Sequence, residues 1–102
     1  MQAGERVRVR VQGRLQTTSY TWTGVLLGTQ KNDLRHLGGR SFLVVAEEHD
    51  EMHRIPIGDA KYTYESLGVY STEELLTHKC QKIRDFMLLE IRSPYYTTKG
   101  QL

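Results

Sequence analysis

The sequence predicts a mainly β (α+β) fold: a small five-stranded antiparallel barrel over residues 5–65, then one long C-terminal helix over 71–92 and a polar tail over 93–102, all in a single domain. Three observations point to it. The first apolar stretch alternates strictly between valine and arginine, the period of a half-buried strand. Short apolar runs are punctuated by glycine and one proline up to about residue 65. Near Leu67–Ser71 that alternation gives way to spacings of three and four, the period of a helix.

Taken in order, Glu5–Gln12 places Val7, Val9 and Val11 on one face and Arg6, Arg8 and Arg10 on the other, and Gly13 ends the run. Tyr20–Leu27 is rich in aromatic and β-branched residues and reads as a second strand. Gly24 inside it predicts a bulge or a bend. Thr29–Gly39 is polar and glycine-containing, a long loop. Arg40–Glu48 has a continuous apolar centre, which predicts burial on both faces. His49-Asp50 is the hairpin tip, and Met52–Ile57 returns as a fourth strand that Pro56 ends or confines to an edge. Gly58-Asp59 turns the chain into a short fifth strand, Ala60–Tyr64. Closing five such strands into a barrel would hide the edges that a flat sheet exposes.

The stretches "ERVRVRVQG", "TGVLLG" and "RIPIGDAKYT" together resemble the small barrels of the Src-homology-3 type, over residues 5–65. That superfold hosts many unrelated functions, so the resemblance implies a barrel and no activity.

Ser71-Thr72-Glu73-Glu74 is a capping box, with serine at the N-cap and glutamate three residues on. Apolar residues follow at Leu76, Cys80, Ile83, Met87 and Ile91, and Pro94 closes the segment. A single helix over Thr72–Arg92 would run ~31 Å. Leu75, Phe86 and Leu89 widen its apolar sector to roughly 200°. Either the helix lies in a groove, or those three residues form an interface with a second copy or another protein.

The composition narrows the function classes. With 14 basic and 12 acidic residues among 102, a net charge of +2 and 9% aromatics, the chain is neither a disordered polyelectrolyte nor a strongly basic coat for nucleic acid. One cysteine, Cys80, excludes a disulfide scaffold, and the N-terminal residues lack a signal peptide's apolar run, so a cytoplasmic setting is expected. A chain of this size supports one modest core.

The most distinctive constellation is the row Arg6, Arg8 and Arg10. Side chains on one strand face repeat about every 6.6 Å, close to the spacing of phosphates along an extended single strand. Arg14 and Arg40 extend the row, and Tyr20 and Trp22 are candidates to stack on bases. The competing reading is a cross-strand ladder with the acids Glu47, Glu48, Asp50 and Glu51. Tyr20, Trp22, Tyr62 and Tyr64 are alternatively an aromatic patch for a proline-rich or cationic ligand, or core. His49 and His53 flank a hairpin tip, where four-residue spacing does not bring two imidazoles onto one metal. His36 reads as a loop residue, and Cys80 as a small hydrophobe on the helix stripe. Tyr95-Tyr96 follow the helix in the polar tail. No nucleophile elbow, phosphate loop or dinucleotide fingerprint occurs, so no catalytic residue, metal or cofactor is expected. The expectation is a non-catalytic binding module: a protein-interaction or assembly domain pairing through its C-terminal helix, or alternatively a nucleic-acid-binding barrel, with no membrane partner.

Overall fold

A computed structural model describes residues 2–14, 18–31 and 39–92. His36, Tyr95-Tyr96 and the tail fall outside these residues. Five strands form one antiparallel sheet: β1 (Glu5–Val11), β2 (Tyr20–Lys31), β3 (Arg40–Ala46), β4 (Glu51–Pro56) and β5 (Tyr62–Val69). They lie in the order β4-β3-β2-β1-β5. Two short helices follow, α1 (Thr72–Leu76) and α2 (Gln81–Arg92).

The sheet does not close into the expected barrel, because β4 and β5 remain two unpaired edges. β4 is the shortest strand and stops at Pro56, which has no N–H to donate. The chain then turns through Gly58 and joins β1 instead. The sheet is nonetheless curled. Phe42 of β3 meets Tyr64 of β5 edge-on, ring centroids 5.4 Å apart, although those strands would sit about 14 Å apart in a flat sheet.

Curling gives the sheet an inner and an outer face, each with its own cluster of buried residues, where the chain's size had led us to expect a single core. Val7, Val9, Val11, Leu26, Val44 and Ile55 fill the inner face. Val25, Leu27 and Val45 of the outer face pack against Leu75, Cys80 and Ile83 of the helical segment. The continuous apolar centre of β3 is explained directly: Val44 points inward, Val45 outward, and both are fully buried.

Several boundaries differ from the sequence reading, each for a local reason. β2 runs on to Lys31 through a register shift between Leu26 and Gly28, so the bulge lies there and not at Gly24. Gly24 has a different role, since a Cβ there would lie 2.6 Å from Val44 Cγ1 and 2.8 Å from both Trp22 Cζ3 and the Val45 carbonyl oxygen. β5 extends to Val69 because β1 offers partners as far as Glu5, with an irregularity that Gly68 accommodates at φ 112°.

The single long helix is in fact two. The capping box forms as predicted: Glu74 N–H donates to Ser71 Oγ (3.1 Å), and Ser71 N–H donates to Glu74 Oε1 (2.9 Å). α1 ends at Thr77, whose hydroxyl donates to the Glu73 carbonyl (2.9 Å). Cys80 N–H then donates to His78 Nδ1 (2.9 Å), a side-chain bond that competes with the helical ladder. Gln81 and Lys82 open α2, which has no acidic residue in its own first turn. Their N–H groups donate to the carboxylate of Asp50, 31 residues earlier in the β3–β4 turn (3.1 Å each). Asp50 adopts φ 47°, a conformation aspartate tolerates, and supplies the missing cap.

Inside the curl, the Tyr64 hydroxyl is buried with no hydrogen-bond partner among the described residues, and burial pushes its pKa up to about 12. Tyr64→Phe removes an unsatisfied polar atom and keeps the ring. The expected result is stability unchanged or raised by up to about 1 kcal/mol, read from the thermal midpoint. A loss larger than that would mean that the hydroxyl is satisfied after all.

Candidate functional site

The structure separates the residues that the sequence had grouped. On β1, Val9 and Val11 pair with Trp22 and Tyr20, so both aromatic rings share the valines' inner face. Arg8 and Arg10 pair with Thr23 and Thr21, and Arg6 with Val25, on the outer face beside the helices. The arginine row and its intended stacking partners therefore lie on opposite sides of the sheet. Arg40 shares the inner-face parity of Phe42 and Val44 and donates to Thr29 Oγ1 (2.7 Å), away from the row.

The row is also engaged. Arg6 Nε donates to Glu47 Oε1 (2.7 Å), Arg8 forms an ion pair with Glu65, and Arg10 Nη2 donates to Ser19 Oγ (3.3 Å). The ladder predicted from the hairpin acids is thus realised by Glu47 alone, while Arg8 takes a carboxylate from β5.

Glu47 is the centre of the most buried polar network described, only 8% exposed. Besides Arg6, it accepts from the Tyr70 hydroxyl (3.1 Å) and bonds His78 Nε2 (3.0 Å). Because His78 Nδ1 already accepts the Cys80 N–H, Nε2 is the nitrogen that carries the proton toward Glu47. The Cys80 thiol donates to the Glu47 carbonyl (3.3 Å). Burial pushes the Glu47 carboxyl up, but bonds from Arg6, His78 and Tyr70 outweigh it and hold it below the usual range. Burial, then the nearby Asp50 and Glu47, raise the Cys80 thiol, which keeps it protonated and poorly nucleophilic. These bonds tie His78, Cys80 and Tyr70 to the end of β3 and so staple the helical segment to the sheet.

The inner face carries an open feature. A cleft of about 380 Å³ sits between β4, the start of β2 and the start of β5. Its walls are the rings of Tyr20, Trp22, Tyr62 and His53. Trp22 and His53 hold each other, ring centroids 4.8 Å apart and tilted by 37°, and Tyr20 is 59% exposed. Glu48 and Glu51 stand on the rim with Arg54 and His49. The five-residue acidic stretch is therefore divided: Glu47 and Asp50 secure the helices, and Glu48 and Glu51 border the cleft. Glu47 and Asp50 flank the Ala46–Glu51 pair on the tip side, and both turn to the helical segment. What one strand's sequence does not carry is which face will bear the helices.

Of the three residues expected at a helix interface, Leu75 is 6% exposed and part of the outer core, Phe86 packs half-buried against that core, and Leu89 is 54% exposed. Its neighbour Leu88 is 41% exposed. Among the described residues, no three metal-binding side chains converge on a common point, and no helix is long and apolar enough to cross a membrane.

No protein-family model, curated protein or solved structure matches this chain.

Proposed function

We propose that this protein is a non-catalytic binding module whose working surface is the aromatic cleft on the inner face of the curled sheet, and that it holds a segment of a partner protein there. The observation that carries this reading is the cleft itself: four rings from three strands line a cavity that opens where the barrel fails to close. Aromatic walls bring large apolar area at little entropic cost, and a few polar groups on the rim set orientation. The nucleic-acid reading is the weaker one, because Arg6 and Arg8 hold protein carboxylates and the Arg6, Arg8 and Arg10 row lies on the opposite face from its aromatics. Self-association through α2 is a second reading, favoured by the adjacent exposed leucines Leu88 and Leu89. A cytoplasmic setting accords with Cys80, buried and without a disulfide partner.

Peptides selected from a random displayed library on the wild-type chain test the reading. They are expected to shift the amide and ring resonances of Tyr20, Trp22 and Tyr62. Trp22→Ala is expected to weaken them at least about tenfold, a loss of about 1.4 kcal/mol or more. Peptides that shift α2 instead, or that bind the Trp22→Ala variant equally well, would overturn it.

A further inference from the structure

We infer that the cleft is specific for a cationic side chain, an arginine or lysine carried by the partner's segment. This deepens the peptide-binding reading above and rests on it. Three observations converge. First, Trp22, Tyr20 and Tyr62 present aromatic rings to one cavity, and aromatic faces attract cations through their quadrupole. Second, Glu48 and Glu51 border the same cavity, both exposed, and neither has an ion-pair partner among the described residues. This contrasts with Glu47 and Asp50 of the same turn, whose carboxylates are taken up by Arg6, His78 and the start of α2. Third, the chain already sets one of its own cations on one of these rings: Lys61 Nζ lies 5.3 Å from the centroid of Tyr62.

The opposing formal charge on the lining is Arg54, which leaves two carboxylates against one guanidinium. An incoming cation therefore meets rings on its flanks and two carboxylates against one guanidinium on the lining, with the Lys61 ammonium already over the Tyr62 ring. An acidic or phosphorylated segment would meet the same two carboxylates as repulsion. A neutral apolar segment would gain the rings and leave the rim unused.

The lone tryptophan of the chain, Trp22, reports directly on the site. Two capped tripeptides serve as probes, acetyl-Gly-Arg-Gly-amide and the same peptide with citrulline, which keeps the shape of arginine and removes its charge. Titration at pH 7.5, followed by the Trp22 indole N–H resonance, is expected to show saturable shifts with arginine. Citrulline is expected to bind at least about tenfold more weakly, and Glu48→Gln with Glu51→Gln to cause a loss of the same order for the arginine probe alone. Equal binding of the two probes, or no effect of the double substitution, overturns the inference. If neither probe shifts Trp22 while library-selected peptides still bind the cleft, the cation preference fails and the peptide-binding reading stands. If selected peptides also avoid the cleft, both fail.

Discussion

Glu47→Ala is expected to cost about 3–5 kcal/mol of folding stability, the range for removing one member of a buried charged network. The substitution strips the acceptor from the buried His78 Nε2, from the partly buried Tyr70 hydroxyl and from half-exposed Arg6. Each buried donor left unpaired costs about 1–3 kcal/mol, while Arg6 recovers much of its loss from water. Set against the 5–15 kcal/mol typical of a domain, this approaches the limit of folding, with a fall of more than about 10 °C in the thermal midpoint. Glu47→Gln keeps the shape but turns an amide N–H toward the Arg6 donor, so an intermediate loss is expected. The pH dependence separates charge from shape. The Glu47 carboxyl is held below its ordinary value of 4.5, so it contributes stability above that pH and loses it as the pH falls through the lowered native value. Glu47→Gln should flatten the stability profile below about pH 4.5. A residual slope should remain from Glu5 and Glu74, both also lowered by hydrogen bonds. Chemical denaturation across pH reads both effects, and an unchanged acid limb in the variant would contradict the role given to Glu47.

Gly24→Ala is expected to be the second most damaging change, although it adds a single methyl group. The new Cβ would meet Val44 Cγ1 at 2.6 Å, Trp22 Cζ3 at 2.8 Å and the backbone oxygen of Val45 at 2.8 Å. The Val44 side chain is enclosed by the inner core, the Val45 carbonyl can move only with β3, and the Trp22 ring can yield only by moving into the cleft it lines. Overpacking of this kind costs about 1–3 kcal/mol, and a backbone contact places it at the upper end. Trp22 is also a wall of the cleft, so the damage should extend to binding. Even at temperatures where Gly24→Ala remains folded, the Trp22–His53 contact is expected to be lost and cleft ligands to weaken by about tenfold or more. Wild-type affinity in a folded Gly24→Ala protein would show that the cleft does not depend on that packing.

These two positions show what the sequence discloses and what it withholds. The alternation of Val7, Val9 and Val11 with Arg6, Arg8 and Arg10 is local and was fully legible, as was the Ser71–Glu74 capping box. The helix break was not, because the apolar stripe keeps its phase from Leu76 through Cys80 and Ile83 across Thr77–Lys79. The missing N-cap before Gln81 was the one available signal. Its replacement, Asp50, comes from 31 residues away. The same non-locality hid the division of the acidic hairpin, since the pairing of Glu47 with Arg6 depends on β3 reaching β1 through β2. Tyr20, Trp22 and Tyr62 were visible as candidates, whereas Tyr64 of the same set lies inside the curl and does not line the cleft, and His53, the fourth ring, had been read only as flanking a hairpin tip. The convergence of the lining rings on one cavity required the curl of an unclosed sheet, which depends on Pro56 ending β4 early.

The most direct test of the cleft as the binding surface is a solution structure of the wild-type chain with a library-selected peptide, defined by intermolecular nuclear Overhauser contacts. Contacts are expected from the peptide to the rings of Tyr20, Trp22 and Tyr62, and none to the outer face. Contacts confined to Leu88 and Leu89 of α2, or to the Arg6, Arg8 and Arg10 row, would contradict it.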